Sequence, residues 1–171
     1  MHIVKTRILA AVFVIGVVGA WAPSASAQVN ALAARKTADQ GNSTTGFVDV
    51  TGLTWYVAAN TNYAFVCDIS YTTGNATTAL QLAVNGPASP TALRYNVTTA
   101  TAAATVHFAS QSAYDTNTNP AASGGATALP ATISGVIENG ATAGTVAIRF
   151  RSETNGTAVT VLRGSSCTVY R

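Results

Sequence analysis

Large apolar and polar residues alternate in short runs along the chain from residue 47 onward. The clearest run covers 63–71, where every second residue is large and apolar. A period of two places successive side chains on opposite faces of a β-strand. We therefore expect five residues to share one buried face: Tyr63, Phe65, Cys67, Ile69 and Tyr71. Turns of Gly, Pro and Asn separate the runs, which amount to about eight strands at a spacing of roughly 10 residues.

This regular spacing predicts an all-β fold. We expect an antiparallel β-sandwich, a jelly roll of about eight strands, in which each sheet buries one face and exposes the other to water. Only 9% of the residues are charged, and the abundant Thr is β-branched and suits a pleated surface. The head domain is expected at 47–171. Residues 28–46 are interpreted as a lead-in with too little apolar surface to fold alone, and 31–36 as a short helical turn.

The first 27 residues follow a different pattern. Lys5 and Arg7 precede an apolar run over 8–22, and small residues follow up to Ala27. A basic start, an apolar core of about 15 residues and a small-residue ending are typical of a secretory signal peptide. The run is shorter than the ~20 residues that cross a bilayer. We expect cleavage between Ala27 and Gln28 and no stable membrane span afterwards. The mature chain is then secreted or held at the cell surface, with the periplasm as a variant of this location.

The charge balance argues against nucleic acid as a partner. The full chain has nine Lys and Arg residues against six Asp and Glu. Because Lys5 and Arg7 leave with the signal peptide, seven bases against six acids remain, a net charge of +1. A phosphate-binding surface needs clustered Lys and Arg. The one close pair in the body, Arg149 and Arg151, is interpreted as part of a solvated strand face.

Several short segments between residues 36 and 170 carry a family resemblance. They lie at 36–40, 42–45, 48–53, 57–61, 82–87, 113–116, 133–135, 139–141, 143–145 and 149–150. In this order they resemble the head domains of bacteriophage tail-fibre and related virion proteins. The resemblance implies a jelly roll similar to the tumour-necrosis-factor fold, a homotrimer, and an attachment or structural role without catalysis.

The signal peptide and this resemblance together favour one function among three. The leading hypothesis is a non-enzymatic, exported, trimeric module for surface attachment or recognition of a cell-surface glycan or protein receptor. A virion structural protein, either a tail-fibre head or a capsid-surface protein, is the alternative. The third hypothesis, a secreted polysaccharide hydrolase, needs two carboxylates in one cleft.

Candidate catalytic and metal-binding residues are few. His107 is the one histidine of the mature chain, and a single His without a Cys cluster does not make a zinc site. Alternation places His107 on the outer face of its strand, opposite Val106 and Phe108. Residues 115–119 have the spacing of the first ligands of a calcium loop, but Pro120 stands where the turn glycine belongs. We therefore expect no catalytic residue, no metal and no cofactor.

The two cysteines, Cys67 and Cys167, are candidates for a disulfide bond. Each shares its strand face with apolar neighbours, so both are expected to point into the core. An exported chain meets an oxidising compartment, in which such a pair persists. We expect an intramolecular disulfide; two buried thiols in separate layers are the alternative.

Loops on a rigid sandwich are the expected place for ligand binding. Three polar loops qualify, at 72–78, 85–91 and 114–126, and their Thr, Asn and Ser content suits hydrogen bonding to glycans. The candidate binding residues in them are Thr73, Asn75, Thr77, Asn85, Ser89, Asp115, Asn117 and Asn119.

Overall fold

The computed structural model describes residues 31–102, 105–116, 118 and 125–171. The predicted signal peptide with its cleavage site at Ala27 and Gln28 lies outside the described residues, as do Asn117 and Asn119. Within these ranges the chain forms eleven strands. They are β1 (Ala31–Arg35), β2 (Gln40–Asn42), β3 (Val48–Val57), β4 (Asn62–Thr73), β5 (Leu80–Asn85), β6 (Ala92–Ala102), β7 (Thr105–Gln111), β8 (Leu129–Glu138), β9 (Gly144–Ser152), β10 (Val159–Val161) and β11 (Ser166–Tyr170).

The strands build two antiparallel sheets. The larger sheet has the order β1-β11-β4-β8-β6-β7, and β10 joins it by pairing with both β4 and β2. The smaller sheet has the order β3-β9-β5. The chain crosses from one sheet to the other before β3, β4, β5, β6, β9 and β10, and such repeated crossing between two antiparallel sheets is typical of a jelly roll. The predicted all-β sandwich is confirmed, with eleven strands among the described residues instead of about eight.

The core lies between the two sheets. All five residues predicted to share a face of β4 are buried, which confirms that alternation in this strand. Trp55 of β3 meets Phe65 of β4 with ring centroids 5.4 Å apart, so this aromatic pair joins the two layers. Its neighbour Tyr56 points the other way and is exposed. Burial of one such large side chain contributes roughly 1.5–3 kcal/mol to folding.

The lead-in differs from its prediction. Residues 31–35 form strand β1, not a helical turn, and pair along β11 from Ala31 opposite Tyr170 to Arg35 opposite Ser166. Residues 40–42 form β2 on the edge of β10. The weak local preference for a helical turn is overridden, because strand pairing satisfies backbone groups along the open edges of β11 and β10.

A glycine bulge brings β3 close to the end of β1. The register of β3 against β9 shifts between Asp49 and Thr54, and Gly52 within this stretch has a φ of 87°. A Cβ atom on Gly52 would lie 2.7 Å from the carbonyl oxygen of Arg35. Glycine is therefore required here for both its backbone conformation and its lack of a side chain.

Candidate functional site

The disulfide joins two neighbouring strands of the larger sheet. Cys67 of β4 lies directly opposite Cys167 of β11, and their Cα atoms are 3.9 Å apart in the bonded pair. The predicted disulfide is confirmed, and the alternative of two thiols in separate layers is wrong. The bond closes a sequence separation of 100 residues and ties the last strand of the chain to the centre of the sheet.

The predicted binding residues of the first two loops are largely occupied in shaping turns. Thr73 is buried, donates to the Asn75 carbonyl at 2.7 Å, and accepts from the Gly125 amide at 3.2 Å. Asn75 Oδ1 accepts from the Thr77 amide at 3.0 Å, which makes an Asx turn. Ser89 is exposed in a separate turn with a φ of 57°. The structure does not bring these residues together into one site.

Two of the predicted residues do meet, on the outer face of the smaller sheet. Asn85 of β5 donates to Asp115 Oδ2 at 2.6 Å. Arg149 of β9 donates to the same oxygen at 2.7 Å, and its Nε lies 2.9 Å from Asp49 Oδ1. Arg149 also donates to the Phe47 carbonyl at 2.8 Å. One guanidinium thus joins two carboxylates that are far apart in sequence.

This network corrects our interpretation of Arg149 and Arg151 as part of a solvated strand face. The Arg149 side chain is mostly buried, and Arg151 lies over the Phe47 ring at 4.6 Å while donating to Gln81. Sequence reasoning missed Arg149 and Asp49, because only the strand register places them opposite each other.

The loop after β7 covers an edge of the smaller sheet. The Asp115 amide donates to the Val84 carbonyl at 3.0 Å, and the Leu82 amide donates to Thr118 Oγ1 at 3.4 Å. These bonds lie along the side of β5 that has no strand partner among the described residues. Open strand edges promote unwanted pairing, so this part of the predicted binding loop protects the sandwich.

His107 lies on the opposite face from the one predicted. It pairs with the buried Thr99 and is half-buried, while Val106 and Phe108 are 47% and 73% exposed. The smaller sheet has three strands among the described residues, and the burial pattern of β7 shows that it is not covered. A period-two pattern of apolar residues identifies the inner face of a strand only where a second sheet covers that face.

An apolar surface lies on the outer face of the larger sheet. We define the outer patch as Ala64, Val66, Val136 and Tyr170. Tyr170, Ala64 and Val136 stand side by side on β11, β4 and β8. Val66, Val136 and Tyr170 are 40%, 46% and 39% exposed, and a hollow of about 400 Å³ opens beside them. The signal in the sequence was the presence of Ala and Val at outward positions of β4 and β8, where Thr and Ser were expected.

The described residues hold no gathered set of metal ligands. No group of three or more His, Cys, Asp and Glu side chains lies close enough to bind a metal ion in the ranges that the structure covers. In the same ranges, no helix has the length and apolarity needed to cross a bilayer.

Fold and surface together define a disulfide-linked, all-β sandwich. The sequence matches no protein family and no curated protein. A chain from the structure of infectious bursal disease virus Gt strain is 13% identical with a TM-score of 0.27, over 92% of this chain and 42% of that one. A chain from the Gx strain is 13% identical with a TM-score of 0.28, over 84% and 36%. This chain spans less than half the length of either, and similarity this low carries no functional inference.

Proposed function

We propose that this chain is a non-enzymatic recognition or attachment module that works outside the cytoplasm and assembles as a homotrimer through its outer patch. The observation that carries the proposal is the exposed apolar face of the larger sheet, opposite a polar face on the smaller sheet. Contiguous exposed apolar surface on a soluble protein is typical of an interaction site.

The composition of the outer patch favours a second copy of the same chain as its occupant. Ala64, Val66 and Val136 are small, so the face is nearly flat and can approach another sheet closely. Charges of both signs border it, with Glu138 and Arg171 at the hollow. In a threefold ring each patch meets a neighbouring surface of the next copy, and a rim that carries both charges allows opposite charges to pair across each contact.

The disulfide supports a location outside the cytoplasm. Structural disulfides persist in oxidising compartments and are rare in the cytosol. This bond and the predicted signal peptide therefore favour the same location. The disulfide also suits a module that must remain folded without the help of cellular chaperones. Recognition then falls to exposed turns such as the one holding Asn75 and Thr77, since these can vary without disturbing the core.

The oligomeric state tests the assembly. The mature protein, beginning at Gln28, is expected to sediment as a trimer, and Val136→Lys to sediment as a monomer because it places three charges in one interface. Val48→Lys is the matched control, since Val48 is an exposed valine on the smaller sheet. A monomeric wild type, or equal dissociation of both variants, would contradict assembly through the outer patch.

Binding of the mature protein to whole cells and to a glycan array tests recognition. The trimer is expected to bind, and the Val136→Lys monomer to bind far more weakly because avidity is lost. An intact trimer without affinity for any cell or glycan would overturn the recognition role and leave a purely structural one.

A further inference from the structure

A cleft at one end of the larger sheet is lined by basic side chains. It lies between the β1–β2 connection, residues 36–39, and the β10–β11 connection, residues 162–165. The cleft has a volume of about 470 Å³ and is lined by Arg35, Lys36, Thr37, Arg163 and Gly164. This volume lies within the ~300–1,000 Å³ of typical small-ligand sites.

The two connections form one rigid frame. The Lys36 amide donates to the Ser165 carbonyl at 2.9 Å, and the Gly164 amide donates back to the Lys36 carbonyl at 3.0 Å. The Ser165 hydroxyl donates to Leu162 at 2.9 Å and accepts from the Ser70 amide at 3.1 Å. Arg35 and Arg163 therefore extend from backbone that is fixed before any ligand arrives, which lowers the entropic cost of binding.

The arginines of the cleft are free for an external partner. Among the described residues, the ion pairs all involve Arg149, so neither Arg35 nor Arg163 pairs with a carboxylate. Asp39, which lines a neighbouring hollow together with Thr37 and Arg163, accepts a hydrogen bond from the backbone amide of Arg163 at 2.7 Å. Both guanidinium groups are exposed, and a guanidinium matches a carboxylate or sulfate with two parallel hydrogen bonds.

A third cation lies behind them. Lys36 is only 2% exposed, and its Nζ donates to Gln40 Oε1 at 2.8 Å. A charge held away from water is poorly screened, so Lys36 adds a positive potential to the floor of the cleft. The described lining of the cleft contains three cations and no carboxylate, so the cleft is positive.

We propose that this cleft binds an acidic sugar unit, carrying a carboxylate or a sulfate, within a polysaccharide. The inference rests on the proposed recognition function and names the class of its ligand. Arg35 and Arg163 hold the acid group, and Thr37 donates or accepts a hydrogen bond at a neighbouring hydroxyl. A nucleic acid fits less well, because its backbone needs a row of phosphate contacts and the cations here are confined to one small cleft.

Titration of the mature trimer with heparin oligosaccharide, hyaluronan oligosaccharide, neutral dextran and duplex DNA tests the proposal. Heparin carries sulfate and carboxylate and hyaluronan carboxylate alone, so their ranking identifies the acid group. We expect saturable binding of one or both, and none of dextran. Arg35→Gln/Arg163→Gln is expected to weaken binding at least about tenfold, as loss of charge-assisted hydrogen bonds does.

Two further variants make the test specific. Arg94→Gln removes an exposed arginine that lies away from the cleft but opposite Val136 of the outer patch; with its trimer shown by sedimentation to be intact, it is expected to leave affinity unchanged. Asp39→Asn keeps the acceptor for the Arg163 amide but removes the repelling charge, so it is expected to raise affinity. Unchanged affinity in Arg35→Gln/Arg163→Gln, with native dichroism, would overturn the proposal. Equal affinity for duplex DNA would also overturn it.

The failure of this inference is separable from failure of the proposed function. A trimer that binds cells or neutral glycans, yet neither acidic probe, refutes the cleft alone. A protein that binds no cell and no glycan of any kind refutes the recognition role itself.

Discussion

The outer faces of the two sheets are organised in different ways. The face of the smaller sheet is tied together by Arg149, which reaches Asp49, Asp115 and the Phe47 carbonyl. The face of the larger sheet carries the outer patch and exposed residues of β7 such as Phe108, and the ion pairs of the described residues do not include its charged side chains. The charged groups of the polar face pair with one another, although Asp115 Oδ1 has no hydrogen-bond partner among the described residues, whereas the apolar face leaves surface that a further molecule can cover.

The sources of stability differ in the same way. The smaller sheet adds an ionic network that spans three segments of the chain, while the larger sheet adds a covalent bond between β4 and β11. The covalent bond adds stability on the inner side of the larger sheet without polar cross-links on its outer face, which is compatible with the assembly that we propose for the outer patch. The three predictions below test this contrast, beginning with the largest effect.

Removal of the disulfide is expected to have the largest effect. The bond closes a separation of 100 residues, and the chain-entropy relation assigns such a loop about 4.7 kcal/mol. Cys67→Ala/Cys167→Ala is therefore expected to lose about 3–5 kcal/mol of unfolding free energy in urea titration. Wild type reduced by dithiothreitol is the control, since it loses the bond but keeps both side chains. A loss below about 1 kcal/mol in both would show that pairing alone holds β11.

The same substitution on the two outer faces compares them directly. Arg149→Met removes the guanidinium that contacts two carboxylates and a carbonyl. We expect the free energy of unfolding to fall by about 2 kcal/mol, a value between those typical of breaking an exposed and a buried ion pair. Arg94→Met removes an exposed arginine that donates to its neighbour Leu93, and we expect a change within about 0.5 kcal/mol. Urea denaturation of both variants measures the difference. Equal losses would remove the contrast between the faces.

The smallest effect concerns pH. Burial lowers the pKa of Lys36 below its usual 10.5, although the nearby Asp39 partly opposes this. Between the lowered value and 10.5 the unfolded chain binds more protons than the folded one, so the contribution of Lys36 to stability rises with pH in that window. Lys36→Met is expected to lack this rise.

Unfolding free energies of wild type and Lys36→Met at pH 8, 9 and 10 measure the effect. Burial raises the pKa of Tyr95 and Tyr114, which lowers stability at high pH in both proteins and cancels in the difference. Parallel pH curves for the two proteins would show that burial does not disfavour the charged form of Lys36.

Sequence patterns predicted the centre of the fold well and its margins poorly. In β4 the alternation is regular and both neighbours are strands, so inward and outward residues separated cleanly and Cys67 was correctly placed in the core. In β7 the alternation placed His107 on the wrong face, and in β1 the local sequence led us to expect a helical turn. Neither face of β7 is covered by another sheet among the described residues. β1 forms only by pairing with the edge of β11, which lies more than 130 residues away in the sequence.

The candidate sites show the same limit. Polar loop residues such as Asn85 and Asp115 could be identified from composition, but their common partner Arg149 could not. The basic cleft was equally hidden, because Arg35 and Arg163 are separated by nearly the whole described chain. Local sequence carries no information about which distant turns a sandwich brings to the same end.

The sequence by itself determined the class of fold and the inward direction of its two cysteines, because periodicity and apolar neighbours act over a few residues. Strand register and sheet order belonged to the tertiary structure, and with them the apolar face, the arginine network and the basic cleft. Those features depend on long-range pairing, in which many registers satisfy the same local pattern and packing of the whole core selects one of them.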